Sequence, residues 1–252
     1  MRYIILTKKH LISFIAVLVV VTLVSVISFV SAAKIKRELP IYSVKIEEKK
    51  VALSFDAAWG NEDTEELIQI LKTYNIKATF FIVGSWVDKY PESVKALYDA
   101  GHEIGNHSNS HPDMSKLSQE KILNELNFCN EKIENIIGVK PLLFRAPYGA
   151  YNNTLISTVK SIGMYTIQWD CDSCDWMEGH TAERIKNDVL KKIKPGSIVL
   201  FHNAAINTPA ALPGIIEKLQ SDGYTFCKIS ELIYKDNYTI NHKGEQIKKA
   251  TD

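Results

Sequence analysis

The sequence predicts an α/β fold on a mostly parallel sheet, closed or nearly closed into a barrel. Three observations predict it. From residue 51 onward, short apolar runs alternate about seven times with amphipathic stretches at helical spacing, the pattern of repeated strand–helix units. That number of repeats fits a barrel better than a short open sheet, although an open doubly wound sheet shares the alternation. Finally, the ends of five strands carry acids, histidines or an arginine, as the reactive rim of a parallel barrel does. No Gly-rich fingerprint follows the first strand, where "FDAAWGNED" (Phe55–Asp63) holds the single Gly60, so no nucleotide is expected.

The elements follow in order. Residues 1–10 are a short tail with Arg2, Lys8 and Lys9. Leu11–Val30 carries no charge and is followed by Lys34, Lys36 and Arg37. An uncharged run of about twenty residues can span a bilayer as a helix. A cleaved secretory core is usually about 7–15 residues, so residues 11–32 are expected as an uncleaved transmembrane signal anchor. The small residues "VSA" (Val30–Ala32) are the competing signal for cleavage and secretion; a buried core helix is the third reading. Basic residues flank both ends and do not set orientation. The short tail and large C-terminal domain favour a single-pass cell-membrane protein with its domain outside the cytoplasm. Residues 33–49 are a linker, 50–234 the folded domain, and 235–252 a polar, mobile tail.

Within the domain, "VALSF", "ATFFIV", "HEIGNH", "LLFR", "MYTIQW", "SIVLF" and "YTFCKI" read as strands. Helices are expected between them: "DTEELIQILKTYN", with Leu67, Ile70 and Leu71 on one face; "PESVKALYDAG", with Pro91 in its first turn and Gly101 as its stop; a long helix capped by Ser118 and ended by Gly138; then "NTLISTVKSIG", "TAERIKNDVLKKI" and "TPAALPGIIEKLQSDG", with "SELIY" closing the domain.

The chain has 252 residues, 46% of them apolar, and a formal charge of +1, so a large core is possible and a nucleic-acid partner is not expected. Of the four cysteines, Cys171 and Cys174 form a C-x-x-C. A disulfide, a reactive thiol and two small side chains near a strand end all remain open; zinc held by two such pairs is excluded, because no second pair exists.

The polar strand ends carry the chemistry. Asp56 follows "VALSF", "HSNSH" follows "HEIGN", "RAPYG" follows "LLF", "DCDSCDW" follows "YTIQW", and His202 follows "SIVLF". In a helical turn, His107 and His111 would face one way and could share a divalent ion. His102, His180 and His242 read as ordinary polar residues.

In these motifs the chain resembles the polysaccharide deacetylases with a NodB-homology domain, over about Lys50 to Tyr234. The resemblance rests on "SFDAA" (Ser54–Ala58), "HSNSH" (His107–His111), "RAPYG" (Arg145–Gly149), "DSCDW" (Asp172–Trp176) and "LFH" (Leu200–His202), in that order. With its membrane segment and "FDAAWG" form it looks most like sporulation-type members of firmicutes. The resemblance implies an irregular (β/α)7 barrel and metal-assisted removal of acetyl groups from an envelope glycan such as peptidoglycan. It implies His107 and His111 as ligands of Zn²⁺ or a similar ion, Asp56 as general base, and Arg145 holding Asp56. His202 would be the general acid, oriented by Asp172. Trp176 and Leu200 would wall the acetyl pocket, and Tyr148 would offer its backbone N–H to the oxyanion. Asp175 is divided between capping and catalysis. These roles suit amide hydrolysis, which needs an activated water, oxyanion stabilisation and a protonated leaving amine.

One position departs from the pattern. Where the family carries a second acid, the third metal ligand, this chain has Ala57. Three outcomes are open: a two-histidine metal site, a carboxylate reaching back from Glu62 or Asp63, or a protein that binds glycan without hydrolysing it. A hydrolase acting on a non-sugar amide is a further alternative.

Overall fold

The computed structural model describes residues 8–31 and 37–250, with side chains for all of these except 10, 11 and 23–31. The chain divides into two compact units, Met1–Arg37 and Glu38–Asp252.

In the first unit residues 8–31 form helix α1 (Lys8–Ser31). Its apolar side chains from Ile12 to Val21 are exposed. Among the described residues no helix is long and apolar enough to cross a membrane; the side chains of residues 23–31 and all of residues 32–36 lie outside the description. The expected cleavage signal Val30–Ala32 falls in that region.

The second unit begins with β1 (Ser43–Val44), β2 (Lys50–Ala57), α2 (Thr64–Thr73), β3 (Thr79–Ile82), α3 (Gly84–Lys89), α4 (Pro91–Asp99) and β4 (Glu103–Asn106). It continues through α5 (Gln119–Ile137), β5 (Leu143–Phe144), α6 (Asn153–Ser161), β6 (Tyr165–Thr166), β7 (Cys171–Asp172), α7 (Ala182–Lys192) and β8 (Ile198–His202). It ends with α8 (Thr208–Ser221), β9 (Thr225–Phe226), α9 (Ile229–Leu232), β10 (Tyr238–Ile240) and β11 (Glu245–Lys248). The expected caps are in place. Ser118 accepts from Lys121 N, and Gly138 ends α5 in the left-handed region.

The strands run in the order β6-β5-β4-β3-β2-β8-β7, and every pairing is parallel, giving an α/β half-barrel. Alternation along β2 sorts its side chains. Leu53, Phe55 and Ala57 join the apolar layer beneath the helices, where Phe55 stacks on Phe80 and Phe201 at 4.8 and 5.4 Å. Ser54 and Asp56 point to the other face. Register places Asp56 beside Phe81 on one strand and His202 on the other.

Two segments differ from expectation. Residues 41–44, expected within a linker, pack at the seam of the sheet: Ile41 bridges Ile167 and Ser43 bridges Ser197. Residues 238–248, expected within a mobile tail, form a β10–β11 hairpin that pairs with β1. Polarity hid this hairpin. Its key inward side chain is Gln246, fully buried, whose amide bonds both the N–H and the C=O of Tyr234. Asn241 shapes the turn by accepting from Lys243 N and Glu245 N.

Candidate active site

Eight of the nine residues singled out by sequence line one cleft of about 360 Å³. The ninth, Arg145, lies beneath it and is wholly buried. It delivers Nη1 to Asp56 Oδ1 at 2.7 Å and Nη2 to Ser54 Oγ at 2.8 Å and the Gln168 carbonyl at 3.3 Å. Its guanidinium lies over the Phe81 ring at 4.2 Å. A buried charge is tolerated only with such pairing. Burial alone would raise the Asp56 pKa; the Arg145 charge, chief among the opposing cations, outweighs it and holds the carboxylate below its usual range.

His107 and His111 sit on the loop after β4, not on a helical turn. Ser108 and His111 both take left-handed backbone at φ 68° and 60°. The loop is held from outside: Glu125 on α5 accepts from Asn109 N, Ser110 N and Ser110 Oγ. The two rings meet edge to face, 5.0 Å between centroids. His107 Nδ1 lies 2.8 Å from the Arg145 carbonyl, which can only accept, so Nδ1 carries the proton and Nε2 keeps its lone pair. Burial pushes the His107 pKa down to about 4 and lowers that of His111, so both rings are neutral at pH 7.

This donor set does not fit a three-ligand metal site. Among the described residues, no group of three His, Cys, Asp or Glu side chains is arranged to hold an ion. Ala57 is 1% exposed, and its methyl packs with the apolar core. Neither acid downstream replaces it. Asp63 is turned to Ala204 N at 2.8 Å, and Glu62 does not line the cleft.

His202 faces Asp56 across the paired strands, and here the structure corrects the sequence reading. Its partner is Asp175, not Asp172. Asp175 Oδ1 is 2.8 Å from His202 Nδ1, while Oδ2 accepts from His202 N at 2.8 Å and Thr208 Oγ1 at 2.6 Å. Asp172 instead accepts from Trp169 Nε1 and Cys174 N. It lines the cleft without orienting the histidine. Burial alone would lower the His202 pKa; the Asp175 hydrogen bond and charge outweigh it and raise the pKa above its ordinary value.

Leu200 forms a buried wall of the cleft, while Trp176 and Tyr148 are exposed at its mouth. Tyr148 has φ 60°, and its ring packs edge-on against His111 at 4.8 Å. Sequence reasoning missed Trp59, which stacks on the His202 ring at 5.4 Å, and Trp169, which lies over Arg145 at 5.5 Å. All four cysteines are free. Cys171 is buried with its pKa pushed up to about 12, a packed thiol and not a reactive one.

The sequence matches the polysaccharide deacetylase family over residues 43–167. It is 37% identical over 194 residues to the uncharacterized protein YlxY of Bacillus subtilis, covering 77% of this chain and 60% of YlxY. It is 32% identical over 197 residues to the peptidoglycan-N-acetylmuramic acid deacetylase PdaA of the same organism, covering 77% of this chain and 75% of PdaA. Among solved structures, wild-type BA3943 of Bacillus anthracis, described as a CE4 family pseudoenzyme, aligns with a TM-score of 0.74 at 36% identity, covering 78% of this chain and 69% of that one. A BA3943 mutant described as having restored enzymatic activity aligns equally well, with a TM-score of 0.74 at 37% identity, covering 78% and 71%.

Proposed function

The chain belongs to the polysaccharide deacetylase family, and on that premise we propose that its Glu38–Asp252 unit removes N-acetyl groups from a cell-wall glycan of the peptidoglycan class. The observation that carries this reading is a pair of opposed acid–base groups in one cleft: Asp56, its pKa lowered by Arg145, and His202 on the neighbouring strand, its pKa raised by Asp175. A carboxylate and an imidazolium so placed can take a proton from an attacking water and give one to a leaving amine. Leu200 and Trp176 present an apolar wall to the acetyl methyl, and the Tyr148 backbone N–H is the proposed oxyanion donor.

The histidine pair does not complete a metal site, so no step is assigned to a metal. A second reading follows from Ala57: a protein that binds the glycan and turns it over slowly or not at all. The likeness to a CE4 pseudoenzyme supports that reading. Two assays on the purified unit separate them, acetate release from N-acetylated oligosaccharides and peptidoglycan, and binding of the same ligands. Acetate release supports the first reading; binding without acetate, with any divalent metal supplied, supports the second.

For localisation, we propose a single-pass anchor at residues 11–32 with the domain outside the cytoplasm, motivated by the uncharged run Leu11–Val30. Protease accessibility of the domain in intact protoplasts tests it, and full protection would refute it. A role in sporulation or cortex metabolism is proposed from the motif resemblance alone, and the spore morphology of a deletion strain tests it.

A further inference from the structure

The parallel sheet ends at β6, and the arm that enters the unit covers only part of that edge. Ile41 N donates to the Thr166 carbonyl at 2.9 Å, and the Ile41 carbonyl accepts from Gln168 N at 2.7 Å. Beside this contact lies a pocket of about 200 Å³ that shares no residue with the reaction cleft. Its wall is apolar: Ile41, Ile156 and Met164 are buried, and Ile240 is half-buried. Two exposed lysines stand at its mouth. Lys160 is in the last turn of α6, and the Lys235 carbonyl is held by the Tyr165 hydroxyl at 2.8 Å. No acid lines the pocket, and neither ammonium is paired among the described residues. Thr166 is 6% exposed, and its Oγ1 is buried with no hydrogen-bond partner among the described residues. Folded proteins rarely leave a buried hydroxyl so, and a ligand oxygen would satisfy it.

We propose that this pocket takes the anionic headgroup of a phospholipid, its phosphate towards Lys160, Lys235 and Thr166 and its first carbons against Ile156 and Met164. Sites that engulf a whole small molecule usually measure about 300–1,000 Å³. This smaller space fits one group of a larger ligand. A free phosphate would leave the apolar wall uncovered. A lipid without net charge would leave two lysines with no counter-charge, whereas an anionic one is drawn to them. The proposal goes beyond the glycan reading. It takes from the anchor proposed for residues 11–32 only the source of the lipid. The uncharged run ends at Val30, nine residues before Leu39 in the pocket wall, and that length of chain spans at most about 32 Å.

The test is calorimetric titration of the full chain, held in a non-ionic detergent, with dihexanoyl phosphatidylglycerol, dihexanoyl phosphatidylcholine and inorganic phosphate. The phosphatidylglycerol should bind at least about tenfold more tightly than either of the others. Lys160→Glu combined with Lys235→Glu, both at exposed positions, should erase that preference. Thr166→Val should weaken phosphatidylglycerol binding several-fold and leave the melting temperature unchanged or higher, because it removes a buried hydroxyl that only the ligand pairs. Equal affinity for the two lipids would overturn the proposal and make the pocket a plain apolar groove. Phosphate alone binding as tightly as phosphatidylglycerol would overturn it too, leaving an anion site with no lipid. Lipid binding that none of these variants alters would place the lipid elsewhere on the chain and refute the pocket. A chain that keeps the phosphatidylglycerol preference but fails the protoplast test would keep the pocket and lose only the anchor.

Discussion

The two sides of the cleft are built to different standards. On one side, His202 stands on a strand, and Asp175 meets its ring nitrogen, its backbone N–H and Thr208 at once. Asp56 is fixed just as firmly by Arg145. On the other side, His107 and His111 hang on a loop with two left-handed residues, beside an alanine whose methyl belongs to the core. The proton-transfer side is complete and the ligand side is not. At the strand end the Ala57 methyl packs into the core, whereas losing Arg145 would strand a buried Asp56.

Breaking the complete side should have the largest effect. His202→Ala is expected to cut acetate release by about 10²–10⁴-fold, the usual range for a lost general acid. Undiminished release in that variant would contradict the role. Arg145→Ala should destabilise the unit by about 3–5 kcal/mol, because it leaves a buried charge unpaired; a denaturant titration measures this, and a loss under 1 kcal/mol would show that Asp56 is not held as described.

Repairing the incomplete side should have a smaller effect, of mixed sign. Ala57→Asp puts a carboxylate at a 1% exposed position and should cost about 1–3 kcal/mol in the absence of metal. Added Zn²⁺ should restore part of that if the carboxylate reaches His107 and His111. Unchanged metal affinity would mean the new side chain points into the core as the methyl does. Smaller still, Glu125→Gln keeps the shape of the loop support but weakens charge-assisted bonds to Asn109 and Ser110. It should lower stability by about 1 kcal/mol and leave glycan binding intact.

The pH dependence tests the complete side differently. The folded pKa of His202 is raised, so its stability contribution is full below the unfolded value and fades as pH rises through the folded one. The Asp56 pKa is lowered, so its contribution is present above the unfolded value and fades as pH falls through the folded one. Turnover should be bell-shaped, with its alkaline limb moving to lower pH in Asp175→Asn. An unmoved limb would assign that ionisation to another group.

How much of this was legible in the sequence depends on regularity. Along β2 the period of two puts Ser54 and Asp56 on one face, and the parallel register brings His202 beside Asp56; both follow from recognising strands. Arg145 was legible for the same reason, one residue past a strand. Asp172 and Asp175 could not be sorted, because one ends the two-residue β7 and the other lies in the turn after it, where Cys174 takes φ 55°. No periodicity says which acid faces the histidine there. Trp59 was missed because it stands in an irregular loop, where a tryptophan reads as ordinary apolar packing. The C-terminal hairpin was missed because its core contact is a glutamine.

The central claim is that Asp56 and His202 form a working acid–base pair, and acetate release tests it most directly. The Glu38–Asp252 unit, incubated with N-acetylated peptidoglycan and a divalent metal, should release acetate, and its His202→Ala variant should not. Glycan binding with no acetate from the unaltered unit would contradict the account and leave a binding protein on a deacetylase scaffold.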